Sequence, residues 1–251
     1  MFQIIKNLKR KGLHPFIWIY LPILIPLIFL LVKKININLF VIFFQGENGI
    51  IENGTFVILF IAIIISILSL IKFNNKFKKR KILVFVILFI LGLTYFAGEE
   101  ISWGQHWFHW EANQFFQTYN DQQFGNSSET NFHNISSWFD QKPKLLLILF
   151  VLFGGILSPL FSHNKDKNNL TFQYIFFPEI SCFITSAFCL FFYLLDNSYK
   201  ILCSGTPGID ISCKFIPQLF VFRTSEIIEF YIALFLLIYI FSIYKKTKIN
   251  L

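Results

Sequence analysis

The chain has 251 residues, 55% of them hydrophobic, with a mean hydropathy of +0.60. That composition excludes an ordinary soluble domain and leaves one helical transmembrane domain over residues 1–251. The net charge of +8 invites a nucleic-acid partner, but the basic residues recur between apolar stretches instead of gathering in one patch, so no nucleic-acid role is expected.

Six stretches reach or approach the ~20 apolar residues needed to cross a bilayer. They are Pro15–Val32, Thr55–Ile71, Ile82–Ala97, Leu145–Phe161, Phe172–Leu195 and Leu219–Tyr244. The expected fold class is an all-α, six-span helical membrane bundle. Lys6, Lys9, Arg10 and Lys11 precede the first span. Lys72, Lys76, Lys78, Lys79, Arg80 and Lys81 separate the second from the third. Lys165 and Lys167 lie between the fourth and fifth, and Lys245, Lys246 and Lys248 follow the sixth. These places hold fifteen of the 22 basic residues and alternate with the other loops, which puts both termini in the cytoplasm. The same runs meet anionic membrane lipid heads. Lys33-Lys34 follows the first span with no small-residue cleavage site, so that span is read as uncleaved. Ile35–Phe44 is apolar but too short to cross, and is expected in the outer interface. Glu47-Asn-Gly and Glu52-Asn-Gly mark a turn-rich start to span two.

The densest chemistry is Ala97-Gly-Glu-Glu-Ile-Ser-Trp-Gly-Gln-His-Trp-Phe-His-Trp110, directly after the apolar third span. Polar groups at a membrane boundary in this density are costly. If the third helix continues, Glu99, Ser102, His106 and His109 share one face, suited to a general-base relay or to holding a metal. Glu100 and Trp103 share the neighbouring face. The plain alternative is an interfacial helix whose polar side meets water. The adjacent pair Glu99-Glu100 carries a repulsion and desolvation cost that a plain boundary does not need.

Glu111–Lys144 is the longest polar segment and is expected as an outward interfacial segment flanked by tryptophan anchors. Within it, Glu129-Thr-Asn-Phe-His-Asn134 places Glu129, Asn131 and His133 in alternation, a strip able to fold over the end of span three. In span five, Cys182 and Cys189 read as small buried hydrophobes. Glu179 follows Pro178, which opens the helix beside it. Cys203 and Cys213 share an outward loop in which a disulfide would close the turn. In span six, Arg223, Glu226 and Glu229 lie roughly 6, 10 and 15 Å from Leu219 along the helix axis, with Glu229 near the midplane. Arg223 and Glu226 can pair, while Glu229 needs another partner. The alternative for these charges is a buried ionic staple.

With those residues in view, the chain resembles a broad group of multi-pass bacterial inner-membrane proteins of unassigned activity. The resemblance rests on Gly98-Glu-Glu-Ile-Ser-Trp-Gly-Gln105, on Glu129-Thr-Asn-Phe-His-Asn134, and more loosely on Glu47 and Glu52 and the acidic start of span six. It implies that Glu99, Glu100, Ser102, Trp103, Gln105, Glu129, Asn131 and His133 belong together. His106 and His109 depart from the pattern, where arginine and glycine are expected. A fainter resemblance links Ser102 and His106 to ceramidase-like and adiponectin-receptor-like hydrolases. Those need a later His-x-x-x-His that this chain lacks, so no metal site and no cofactor are expected.

Three functions follow as expectations. The first is a hydrolase or transferase acting on a lipid-linked or small-molecule substrate at the outer leaflet. There Glu99, Glu100, Ser102, Glu129 and His133 are the catalytic candidates, and Gln105, Asn131, Arg223, Glu226 and Glu229 the binding candidates. The second is a transporter or proton- or cation-coupled channel using Glu229, Glu226 and Glu179. The third is a non-catalytic assembly or sensory partner. The topology is checked by single cysteines at Asn75, Asn168 and Asn126. Intact cells should protect the first two from a membrane-impermeant thiol reagent and expose the third, and labelling of all three would sink the six-span arrangement.

Overall fold

The computed structural model describes residues 14–41, 44, 49–73, 80–120, 123–124, 127–132, 135–158, 172–203 and 224–249. The elements are α1 (Leu21–Ile35, preceded by a π turn over Phe16–Tyr20), α2 (Ile37–Phe40), α3 (Ile50–Phe73), α4 (Arg80–Glu100), α5 (Gln105–Phe108) and α6 (Gln114–Tyr119). A two-stranded hairpin follows, β1 (Gln123–Phe124) and β2 (Ser127–Ser128). Then come α7 (Ser137–Val151, continued by a π segment over Leu152–Leu157), α8 (Phe172–Phe176), α9 (Phe183–Cys203, preceded by a 3-10 turn over Ile180–Cys182) and α10 (Thr224–Ile249). The fold is mostly helical. The hairpin, in which Gln123 pairs with Ser128 and Phe124 with Ser127, is the departure from the all-α expectation.

Five helices are long and apolar enough to cross a membrane: Phe16–Ile35, Ile50–Ile71, Arg80–Glu100, Ile180–Ser198 and Thr224–Lys246. They mark a multi-pass membrane protein. The segment expected as span four is helical from Ser137 through the π segment to Leu157, with Asp140, Lys142 and Lys144 in its first turns, and is not among these five; its expected end at Phe161 lies outside the described residues. The last of the five is 72% buried, against 22–33% for the other four. A helix that is apolar on every side belongs inside its bundle, and α10 is the hub on which α3 and α9 pack, with α4 against α3. Its Thr224-Ser-Glu226 start also places an acidic group at the positive end of the helix dipole.

Two aromatic hydroxyls tie this hub to its neighbours. Tyr231, fully buried, donates to the carbonyl of Pro22 at 2.7 Å, where the first helix carries prolines at 22 and 26. Tyr239 donates to the carbonyl of Phe176 at 2.7 Å. That carbonyl lacks a helical N–H because α8 ends at Phe176, Pro178 disfavouring helix at the residue before it, which parts α8 from α9. Lys246 takes the next carbonyl, that of Phe177, at 3.1 Å and stands 3.7 Å from Glu179. Lys246 was expected in a solvated cytoplasmic run. Instead α10 continues past it and buries it to 4% exposure, because the broken helix needs a donor there.

Ile35–Phe44 also differs from expectation. Asn36 caps α2 through its side chain, which accepts from the amides of Asn38 and Leu39. Phe40 and Phe44 are buried against the core instead of lying in the interface, with Phe44 4.8 Å from Phe29, centroid to centroid. Cys182 and Cys189 are buried free thiols, packed as small hydrophobes.

The π segment sets Gly154 and Gly155 against the break at Pro178. A Cβ added at Gly155 would fall 1.7 Å from Ser186 Oγ and 2.6 Å from its Cβ. Gly155→Ala should therefore destabilise the protein by about 1–3 kcal/mol through overpacking, and Gly155→Ala with Ser186→Gly should recover most of it. At Gly92, where nothing lies within 4 Å of an added Cβ, Ala should be neutral or stabilising. Thermal unfolding in detergent reads all three.

Candidate functional site

Helix α4 stops at Glu100, so the face shared by Glu99, Ser102, His106 and His109 in a continuous helix does not form. Ser102, Trp103 and Gly104 take φ values of 46°, 55° and 98°. Left-handed backbone at two consecutive non-glycine residues is strained and persists only where the surroundings over-determine it. The restraint comes first from Glu99. Its Oε1 accepts from the indole N–H of Trp103 at 2.7 Å, and its Oε2 accepts from the amide of Phe132 at 2.8 Å. The indole folds back over Gly98, where an added Cβ would come within 2.8 Å of the ring. Gly104 meets the φ of 98° without a Cβ to strain.

The strip after the hairpin closes onto this turn. Gln105 Oε1 accepts from the amide of Thr130 at 2.8 Å, and its Nε2 donates to the carbonyls of Ser128 at 3.0 Å and Trp110 at 3.2 Å. Thr130 donates its hydroxyl to the carbonyl of Ser102 at 2.6 Å. Asn131 Nδ2 donates to Glu129 Oε2 at 2.5 Å and to Ser102 Oγ at 3.2 Å. Asn120 Nδ2 donates to the carbonyl of Glu129 at 2.8 Å and to Asn131 Oδ1 at 3.0 Å. Trp107 joins the turn to the start of α3 by donating to Asn53 Oδ1 at 3.1 Å. Asn120, His106 and Thr130 thus belong to a network that the sequence showed only in outline.

Ser102, His106 and Glu129 do meet, yet not as a relay. His106 Nε2 lies 3.0 Å from Ser102 Oγ and 3.1 Å from Glu129 Oε1. One nitrogen serves both contacts. A lone pair on Nε2 would face the lone pairs of the carboxylate, so this nitrogen carries the proton and donates to Glu129. It is then no base for Ser102. A working triad needs the base and its orienting acid on opposite ring nitrogens. Ser102 and Gln105 are also fully buried, with Glu129 and Asn131 at 3% and 2% exposure. Among the described residues the cluster is a buried, internally hydrogen-bonded lock.

The second carboxylate of the pair faces elsewhere. Glu100 lies on the wall of a cavity of about 630 Å3 between α4, α7, α8 and α10. Tyr95, Glu99, Lys144 and Glu229 share that wall, whose other side chains are apolar, from Phe85 and Phe89 to Phe150 and Leu236. Lys144 Nζ donates to Glu229 Oε1 at 2.7 Å and to Ser225 Oγ. The charged groups that act on Glu100 are the carboxylates of Glu229, Glu52 and Glu226 and the ammonium of Lys144. Phe85 and Glu100 of α4, fifteen positions apart, bound the stretch that runs along the cavity, roughly 22 Å at 1.5 Å per residue. Leu88 and Leu146 on its wall are 61% and 68% exposed, so the cavity opens sideways between α4 and α7. Its volume is that of a small-molecule site.

Lys144 is the functional candidate that sequence reading missed. It precedes the apolar run at Leu145 and was taken with the polar segment, whereas α7 begins at Ser137 and carries it into the bundle. Pro143 beside it was the available signal of structure at that point. With the span starting at Thr224, Glu229 lies roughly 7 Å along the axis. Glu179 pairs with Lys246, which stands seventeen residues along α10 from Glu229, roughly 25 Å. His109 is exposed with φ 54°. His133, Arg223 and Cys213 lie outside the described residues, as does the side chain of Cys203. Among the described residues no three His, Cys, Asp or Glu side chains gather as a metal would need.

Gln105→Ala strands several buried donors and acceptors at about 1–3 kcal/mol each. It should lower the unfolding temperature by several degrees in detergent, as should Asn131→Ala. Glu100→Gln, on the cavity wall, should leave it unchanged. Equal stability of all three would show that the network is no lock.

Comparison of the chain with protein-family models, with curated proteins and with solved structures finds no match.

Proposed function

We propose that this chain is a six-span protein of the bacterial inner membrane, both termini in the cytoplasm, that binds an amphipathic, lipid-linked molecule in the groove between α4 and α7. The observation that carries this reading is a long apolar cavity, open to the side, with its charged residues gathered at one end. The end of α4 and the starts of α7 and α10 meet there. The alternation of basic loops puts that end on the outer side. An alkyl chain suits the wall from Phe85 to Phe96, and a polar head suits Glu100, Lys144 and Glu229. The aromatic groups Trp103, Trp107, Phe108 and Trp110, all exposed, suit the outer interface beside the mouth.

Any acid–base chemistry on a bound head group falls to Glu100, with Glu229 held by Lys144. Ser102, Glu129, Gln105 and Asn131 keep the end of α4 in place. A path of intramembrane carboxylates for transport is the less favoured reading, since Glu179 stands at the far end of α10.

Gly92 gives a clean test, because a larger side chain there enters the groove from a position with open space. Protein purified in mild detergent should retain an amphiphile that solvent extraction and mass spectrometry identify. Gly92→Phe should retain about tenfold less, the equivalent of ~1.4 kcal/mol, at unchanged unfolding temperature. Identical retained lipid in both proteins would remove the groove as the binding site.

A further inference from the structure

Given the amphiphile-binding reading above, one side chain on the wall bears on how the head and the chain of the occupant are joined. Tyr95 of α4 lines the cavity at the border between its two chemistries. Glu99 and Glu100 follow it toward the charged end. Gly92, Phe89 and Leu88 precede it, and from there to Phe85 the α4 wall is apolar. Tyr95 lies five residues before Glu100, roughly 7 Å along the axis. The phenol oxygen of Tyr95 is buried, and among the described residues it has no hydrogen-bond partner. Glu99, one turn on, accepts instead from the indole of Trp103 and the amide of Phe132. A buried hydroxyl held without a partner in apolar surroundings is costly. One turn below it, at Gly92, nothing lies within 4 Å of an added Cβ, so the groove is open beside the tyrosine.

An amphiphile has its linkage at such a border, after the head and before the first methylenes of the chain. A phenol donates one O–H. A carbonyl oxygen is a strong acceptor for it, an ether oxygen a weaker one, and a methylene offers none. We propose that the groove takes an acyl-linked amphiphile, an ester or an amide, whose carbonyl oxygen accepts from the Tyr95 hydroxyl, with its head toward Glu100 and its chain toward Phe85. Tyr95 is then the residue that tells an acyl from an alkyl linkage, since a site with a buried polar group disfavours the analogue that leaves it unpaired.

The test uses the full-length protein in a neutral maltoside detergent. Two photoprobes share a glycerol head and a long chain bearing a diazirine at the same position, and differ in the linkage: an acyl ester in one, an alkyl ether in the other. After irradiation, labelled peptides are located by mass spectrometry. The ester should label the walls around Leu88–Leu93 and Leu146–Phe150 about tenfold more than the ether. Tyr95→Phe keeps the ring in its edge contact with Trp103, 6.3 Å between centroids, and should bring the two probes to equal labelling at unchanged unfolding temperature. If the ether labels the groove of the native protein as strongly as the ester, or if Tyr95→Phe keeps the preference, the linkage assignment is overturned while amphiphile binding stands. If neither probe labels the groove in the native protein, the binding reading itself fails, and the linkage assignment with it. Should Tyr95→Phe not fold, the ester-to-ether ratio in the native protein decides alone.

Discussion

One carboxylate sets the geometry of the outer end of this protein. Glu99 takes the indole N–H of Trp103 on one oxygen and the amide of Phe132 on the other. It thereby ends α4, holds a strained left-handed turn and docks a strip thirty residues further along. The two neighbouring glutamates are chemically equal in sequence, yet their tasks are opposite. Glu99 is spent on donors within the protein. Glu100, rotated by one residue of helix, is delivered to the groove wall beside Glu229 and Lys144.

The apolar surroundings explain why so many polar groups here are doubly bonded. Where water is excluded, a stranded donor or acceptor costs far more than a hydrogen bond returns. The same demand acts at the other end of the bundle, where Pro178 frees two carbonyls. Tyr239 and Lys246 from α10 answer them. The helix that is apolar all round therefore carries its few polar groups at places where another helix is broken, and those bonds fix its register against the rest.

Lock and groove together make a functional argument that neither makes alone. The lock is buried and internally hydrogen-bonded, which is how a structural network looks. The groove is large, apolar and open to the side, with a charged end, which is how a site for an amphiphile looks. The lock holds the end of α4 where Glu100 meets charges from α3, α7 and α10. Its conspicuous serine and histidine are spent on positioning, since the one imidazole nitrogen near both partners cannot serve two roles at once.

The sequence by itself determined the membrane class, because apolar length is a local property. It also determined where polar chemistry concentrates, and that Glu129–Asn131 belongs with Glu99–Gln105. Five of the six expected spans are helices of crossing length, and the remaining one, span four, is helical over its described part. Only the tertiary structure decided how the two glutamates divide their partners, because that turns on a three-residue left-handed turn whose stability comes from bonds to residues more than twenty positions away. It alone brought Lys144 to Glu229, eighty-five residues apart, and Lys246 to a carbonyl of a broken helix. Charge pairing at such separations depends on how helices pack, and packing is not written in the local run of residues.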